Sequence, residues 1–195
     1  MDLPTPASGS SAERRLHEIE EGFERELGAL LGSVNFSGYS DRARLRADDV
    51  AIRGFAGGKV LEAKGVVGGL IHQWRKAHIP EPTREQPFPP DDAANHLRRL
   101  QEFESRLAAI ELRIRSAAAP DFDVVWNQRA DGIAVLEALL KADTRLVTMA
   151  RDLAMRAHDL TLDQIAADHS FHTLSPAADA VEAALRERSE LLTPR

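Results

Sequence analysis

Leu100, Phe103, Leu107, Ile110, Ile114 and Ala117 recur at alternating steps of three and four, and this run constrains the chain more than any other feature. Steps of three and four return a side chain to one face of an α-helix, whereas a strand needs steps of two. The run predicts a helix over about 92–117 with a narrow apolar seam of the coiled-coil kind. Asp91 or Asp92 is placed to cap its start. Glu102–Arg106 and Glu111–Arg115 stand four apart along it, a spacing that suits ion pairs on one helix. Pro120 ends the helix, and Asp121 can begin another.

The second helix, expected over 121–158, has a much wider apolar face. Val125, Ile133, Leu136, Leu139, Leu140, Leu146, Val147, Ala150, Leu153, Ala154 and Ala157 all contribute to it. A stripe that broad must touch more than one neighbour. Gly132 and Asp143-Thr144 are its weak points. Aromatic residues make up only 5% of the chain against 43% hydrophobic residues, so the core is aliphatic and suited to helix packing. The expected fold is all-α: a bundle of four to six helices around a long antiparallel pair, about 92–117 and 121–158, folded back on itself at Pro120.

Helices upstream and downstream are the natural covers for the broad face. Residues 1–9 read as a polar arm with no leader-like apolar core. Ser10 and Glu13 form a capping-box signature ahead of Leu16, Ile19, Phe23, Leu27, Leu30 and Val34, an amphipathic helix reaching about residue 34. Segment 41–79 carries Gly54, Gly57, Gly58, Gly65, Gly68 and Gly69. It reads as helices near 41–54 and 59–78 broken at Gly57-Gly58, with the glycines marking close backbone approach. A short hairpin, Val50–Phe55 against Lys59–Ala63, is the alternative. Five prolines between Ile79 and Pro90 rule out a helix there and make 80–90 an extended connector. Residues 10–79 are expected to pack with 91–195 as one domain. Thr161 and Gln164 form a second capping box, and Ser175-Pro176 reads as the start of a last helix to about Leu192 with Val181, Leu185 and Leu192 inward.

The net charge of −6 argues against a nucleic-acid partner or an anionic membrane surface. No apolar stretch is long enough for a membrane span. The absence of cysteine excludes disulfides and thiolate chemistry, and fits a cytoplasmic protein. No nucleophile elbow and no phosphate-binding loop is present.

Four constellations merit weighing against plain structural roles. His158, His169 and His172, near Asp159, Asp163 and Asp168, offer imidazole and carboxylate ligands for a metal such as Zn, Fe or Mn, although their spacing follows no established pattern. Arg42, Arg44, Arg46 and Arg53 form a basic cluster, but Asp41, Asp48 and Asp49 interleave it, so a neutralised surface is the simpler reading. Residues 161–188 have the outline of a degenerate helix-turn-helix, with acidic Asp179, Glu182, Glu187 and Glu190 on the would-be recognition helix. His96, followed by Arg98 and Arg99, is a candidate for phosphoryl transfer by its place on a bundle helix alone. None outweighs the architecture. The sequence favours a non-enzymatic adaptor, scaffold or accessory subunit without a cofactor, acting by protein–protein contact and expected to form a homodimer. Val67, Leu70, Trp74, Leu139, Leu146 and Leu153 are the candidate interaction residues. A DNA-binding regulator and a metal-dependent bundle enzyme are the alternatives.

Overall fold

A computed structural model of the chain describes residues 28–29, 42–84, 87–120, 132–167 and 170–192. Apart from Gly28 and Ala29, which are helical, the helix expected at 10–34 lies outside these residues, as does the expected start at Asp121. The described residues hold five helices and no strand. They are α1 (Arg42–His78), α2 (Asp91–Ser116), α3 (Gly132–His158), α4 (Leu162–Ala166) and α5 (Ser170–Leu192). The all-α bundle is thus as expected.

The expected pairing within it is not. α2 and α3 share little direct contact. α2 packs along α1, and α3 packs along both α1 and α5. Side-chain contacts give the directions. Trp74 near the end of α1 bonds Ala93 at the start of α2, so these two run antiparallel. Glu62 meets His158 while Asp49 and Asp143 share a partner, so α1 and α3 run parallel. Arg145 meets Glu187, and Asp143 meets Arg188, so α3 and α5 are antiparallel. α2 and α3 therefore stand on opposite corners of the bundle. The physical reason is the breadth of the α3 face, which is covered from two sides by α1 and α5 and leaves no room for α2.

The seam on α2 is buried as its spacing requires: Leu100, Phe103, Leu107, Ile110 and Ile114 are all inside. They join one core with Ala56, Val60, Ala63 and Val67 of α1, Leu146, Ala150 and Leu153 of α3, and Leu174, Ala178, Val181 and Leu185 of α5.

Several local expectations change. α1 is one continuous helix of 37 residues; neither the break at Gly57-Gly58 nor the hairpin forms. Each interior glycine costs only about 1 kcal/mol, which the buried rows on either side of α2 and α3 outweigh. α2 begins after Pro90 without a side-chain cap, and Asp91 and Asp92 sit inside its first turn, where carboxylates favour the helix dipole. Asp143-Thr144 does not interrupt α3; Thr144 Oγ1 donates to the Leu140 carbonyl at 2.9 Å and stays within the helix. α5 begins at Ser170 and runs through Pro176, so Ser175-Pro176 is not its start. Pro176 and His172 are both exposed, and the carbonyl that loses its helical donor can meet water. The Thr161–Gln164 capping box is present in both directions at α4.

Candidate functional site

His158 and His172, the two described members of the candidate histidine set, stand on different helices. His158 closes α3, and its Nε2 lies 2.8 Å from Glu62 Oε1 on α1. Lys59 Nζ donates to the other oxygen of Glu62 at 2.7 Å. The hydrogen bonds from Lys59 and His158 outweigh burial and hold the Glu62 carboxyl below its usual range. His172 is exposed on α5, and His169 lies outside the described residues. Among the described residues no group of three histidine, cysteine, aspartate or glutamate side chains is placed to hold a metal ion. His96 Nδ1 lies 2.7 Å from the Asp92 carbonyl, with its ring against Trp74.

The helix-turn-helix outline takes on a different role. α5 is a wall of the bundle, and its Asp179, Glu182 and Glu187 are engaged by arginines of the neighbouring helices. Arg106 of α2 donates to Asp179 at 2.5 Å and to Glu182 at 2.9 Å. Arg113 adds a bond to Glu182 at 3.1 Å, and Arg145 of α3 meets Glu187 at 2.9 Å. Burial works against the Arg106 charge, but Asp179 and Glu182 more than compensate and hold its pKa above the usual value. Arg106 thus bridges helices rather than closing only a local pair with Glu102, while Arg115 does pair with Glu111 as expected. An open cleft of about 270 Å³ lies beside these bridges, lined by Arg99, Glu102, Phe103, Arg106 and Ser175.

Val67, Leu70, Trp74, Leu139, Leu146 and Leu153 are all buried within the chain itself. The broad face of α3 is covered by α1 and α5, so a partner must be met elsewhere on the surface.

Two features stand out that spacing did not reveal. The first is a buried ion cluster. Asp49, Asp143 and Arg188 are each fully shielded from solvent. Arg188 Nε donates to Asp143 Oδ1 at 2.6 Å, Nη2 donates to Asp49 Oδ1, and Nη1 donates to the Ala118 carbonyl at 3.1 Å. Arg53 takes the second oxygen of Asp49, Nε at 2.9 Å, and donates Nη1 to the Arg115 carbonyl at 2.6 Å. Two guanidiniums thus share one carboxylate; Arg53 also meets a carbonyl in the last turn of α2, where a cation favours the dipole, and Arg188 meets one just beyond the helix. Asp48 is also nearly buried. Asp48 and Asp49, which read as part of a neutralised surface, are therefore interior, and Arg53 is half-buried above them; the side chains of Arg42, Arg44 and Arg46 lie outside the described residues.

The second is the outer ridge of α1. Val50, Gly54, Gly58, Leu61, Gly65 and Gly69 follow one another at helical steps and are all exposed. Val50 is 62% and Leu61 46% exposed. A Cβ added at Gly54, Gly58, Gly65 or Gly69 meets nothing within 4 Å. Only Gly57 and Gly68 face α2, and there a Cβ would lie 3.8 Å from Ile114 and 3.3 Å from the flexible end of Glu104. The close backbone approach expected of these glycines is therefore not made inside the described bundle. Among the described residues no helix is long and apolar enough to cross a membrane. No protein family matches the sequence, and neither a curated protein nor a solved structure matches the chain.

Proposed function

We propose that the chain is a non-enzymatic interaction protein, an adaptor, scaffold or accessory subunit, that works through helix-to-helix contact on the outer ridge of α1, with a second copy of itself as partner. The observation that supports this reading is the ridge itself. The outermost face of a long surface helix ordinarily carries charge, and here Val50, Gly54, Gly58, Leu61, Gly65 and Gly69 carry none. Its four glycines cost helix stability and return no packing within the described bundle. A sequence that breaks a local rule without a gain among the described residues points to contact with something beyond them. A ridge of four glycines with Val50 and Leu61 among them is a shape on which another helix can lie closely. The net charge of −6 disfavours nucleic acid as that partner. Because the sequence lacks cysteine, the proposal places the protein in the cytoplasm.

Light scattering on the full chain at micromolar concentration tests the proposal. A dimer is expected, and Gly58→Arg with Gly65→Arg should convert it to a monomer of unchanged helix content, because both side chains enter open space. A monomeric wild type from which no protein co-purifies in its native host would overturn the reading.

A further inference from the structure

The three members of the buried ion cluster occupy equivalent places in the sequence pattern. At seven-residue steps the core row of α1 reads Asp49, Ala56, Ala63, Leu70. The matching row of α3 reads Leu136, Asp143, Ala150, Ala157, and that of α5 reads Leu174, Val181, Arg188. Every one of these residues is buried. Rows of small and branched aliphatic residues repeating every seven positions present nearly the same surface after one helix slides a heptad past another, so packing alone selects the alignment weakly. The charges remove that ambiguity. In the observed alignment Arg188 reaches Asp143 and Asp49 at once. A heptad slip of α5 would carry its guanidinium about 10 Å along the bundle. Arg188 would then lie level with Leu136 near the start of α3, away from both carboxylates, and Val181 would face the buried Asp49 and Asp143 in its place. A buried charge separated from its partner is among the most costly defects a core can hold, whereas a buried ion pair is often no more stable than the aliphatic residues that could replace it.

We propose that the Asp49–Arg188–Asp143 cluster is a register device: it selects one alignment of α1, α3 and α5 rather than adding stability to the bundle. Arg53 belongs to it by holding the second oxygen of Asp49.

The chain has no cysteine, so introduced thiols report alignment without interference. Arg145→Cys with Glu187→Cys marks the observed alignment, since those side chains meet at 2.9 Å. Arg145→Cys with Ala180→Cys marks α5 displaced by one heptad. A short thiol-reactive cross-linker should join only the first pair when the cluster is intact. In a background carrying Asp49→Leu, Arg53→Met, Asp143→Leu and Arg188→Met, both pairs should link. That background should melt at or above the wild type and give broadened or multiple amide signals. Arg188→Met alone, which takes the shared cation away from two buried carboxylates, should lower Tm by roughly 10 °C or more. Three results would each overturn the proposal. One is an apolar background that links only 145 to 187 and shows a single sharp set of amide signals. Another is an apolar background that melts well below the wild type, which would make the cluster a source of stability. The third is Arg188→Met melting with the wild type.

Discussion

The indole Nε1 of Trp74 donates to the backbone carbonyl of Ala93 at 3.0 Å, joining the last turns of α1 to the first turn of α2. Trp74 is only 3% exposed, and His78 and His96 lie against it with ring centroids 4.0 and 5.2 Å away. The connector that runs between the two helices contains five prolines and few backbone donors. Its ends are held together by the indole and the apolar rows behind it, which is why an extended connector is compatible with an antiparallel α1–α2 pair.

Trp74→Phe keeps most of the apolar contact and removes the donor. Stability should fall by about 1–2 kcal/mol, from a buried carbonyl that loses a partner and a ring that fills less of the space. A thermal melt followed by circular dichroism should show Tm lower by roughly 3–8 °C. An unchanged Tm would mean that the bond contributes nothing to joining α1 and α2.

Leu107 lies at the centre of the α2 seam and is fully buried. Leu107→Asp places a carboxylate in an aliphatic core and removes a side chain that fills it. The loss should be at least about 3–5 kcal/mol, a large share of the total stability of an ordinary chain. A denaturant titration with a preserved midpoint would show that the seam faces elsewhere.

The fold class was legible because the α2 and α3 patterns are pure helix periodicity, and Leu100 to Ile114 sit where steps of three and four place them. Their partners were not legible. A wide apolar face states that two neighbours exist without naming them, and a turn at Pro120 suggested α2 when α1 and α5 take the place. Gly57-Gly58 looked like a break because propensity is local, while the rows Ala56, Val60 and Ala63 that carry α1 through it gain their stability from packing. The ion cluster did leave a trace. Asp49, Asp143 and Arg188 each stand seven residues from buried Ala56, Ala150 and Val181, so a charge in a core row was visible. That three such charges meet at one level required the alignment of helices far apart in sequence.

Gly58 and Gly65 test the meaning of the α1 ridge from the side of stability. A methyl group added at either meets nothing within 4 Å. Alanine lowers the backbone entropy of the unfolded chain and favours the helix, so Gly58→Ala and Gly65→Ala should each stabilise the protein by about 0.5–1 kcal/mol. Denaturant midpoints should rise for each and rise further for the pair, since the two positions share no partner. A loss of stability in either, measured at a dilution at which the chain is monomeric, would show that the glycine is required inside the bundle, and would remove the argument that these residues are kept for contact with another helix.

Glu62 makes stability depend on acid in a direction that can be worked out. Hydrogen bonds from Lys59 and His158 favour its charged form and lower its pKa from 4.5 in the folded chain. The unfolded state therefore binds the proton more readily. The contribution of Glu62 is complete above the unfolded value of 4.5 and is lost as pH falls through the lower folded value. With the carboxylate 39% exposed, solvent screening keeps the effect small. Glu62→Gln should thus lower the urea midpoint slightly near neutral pH, and the difference should vanish once the pH is below the lowered folded value. The two curves of midpoint against pH should converge as the solution is acidified. Parallel curves across that range would show that Lys59 and His158 lend the folded state no preference for the ionised carboxylate.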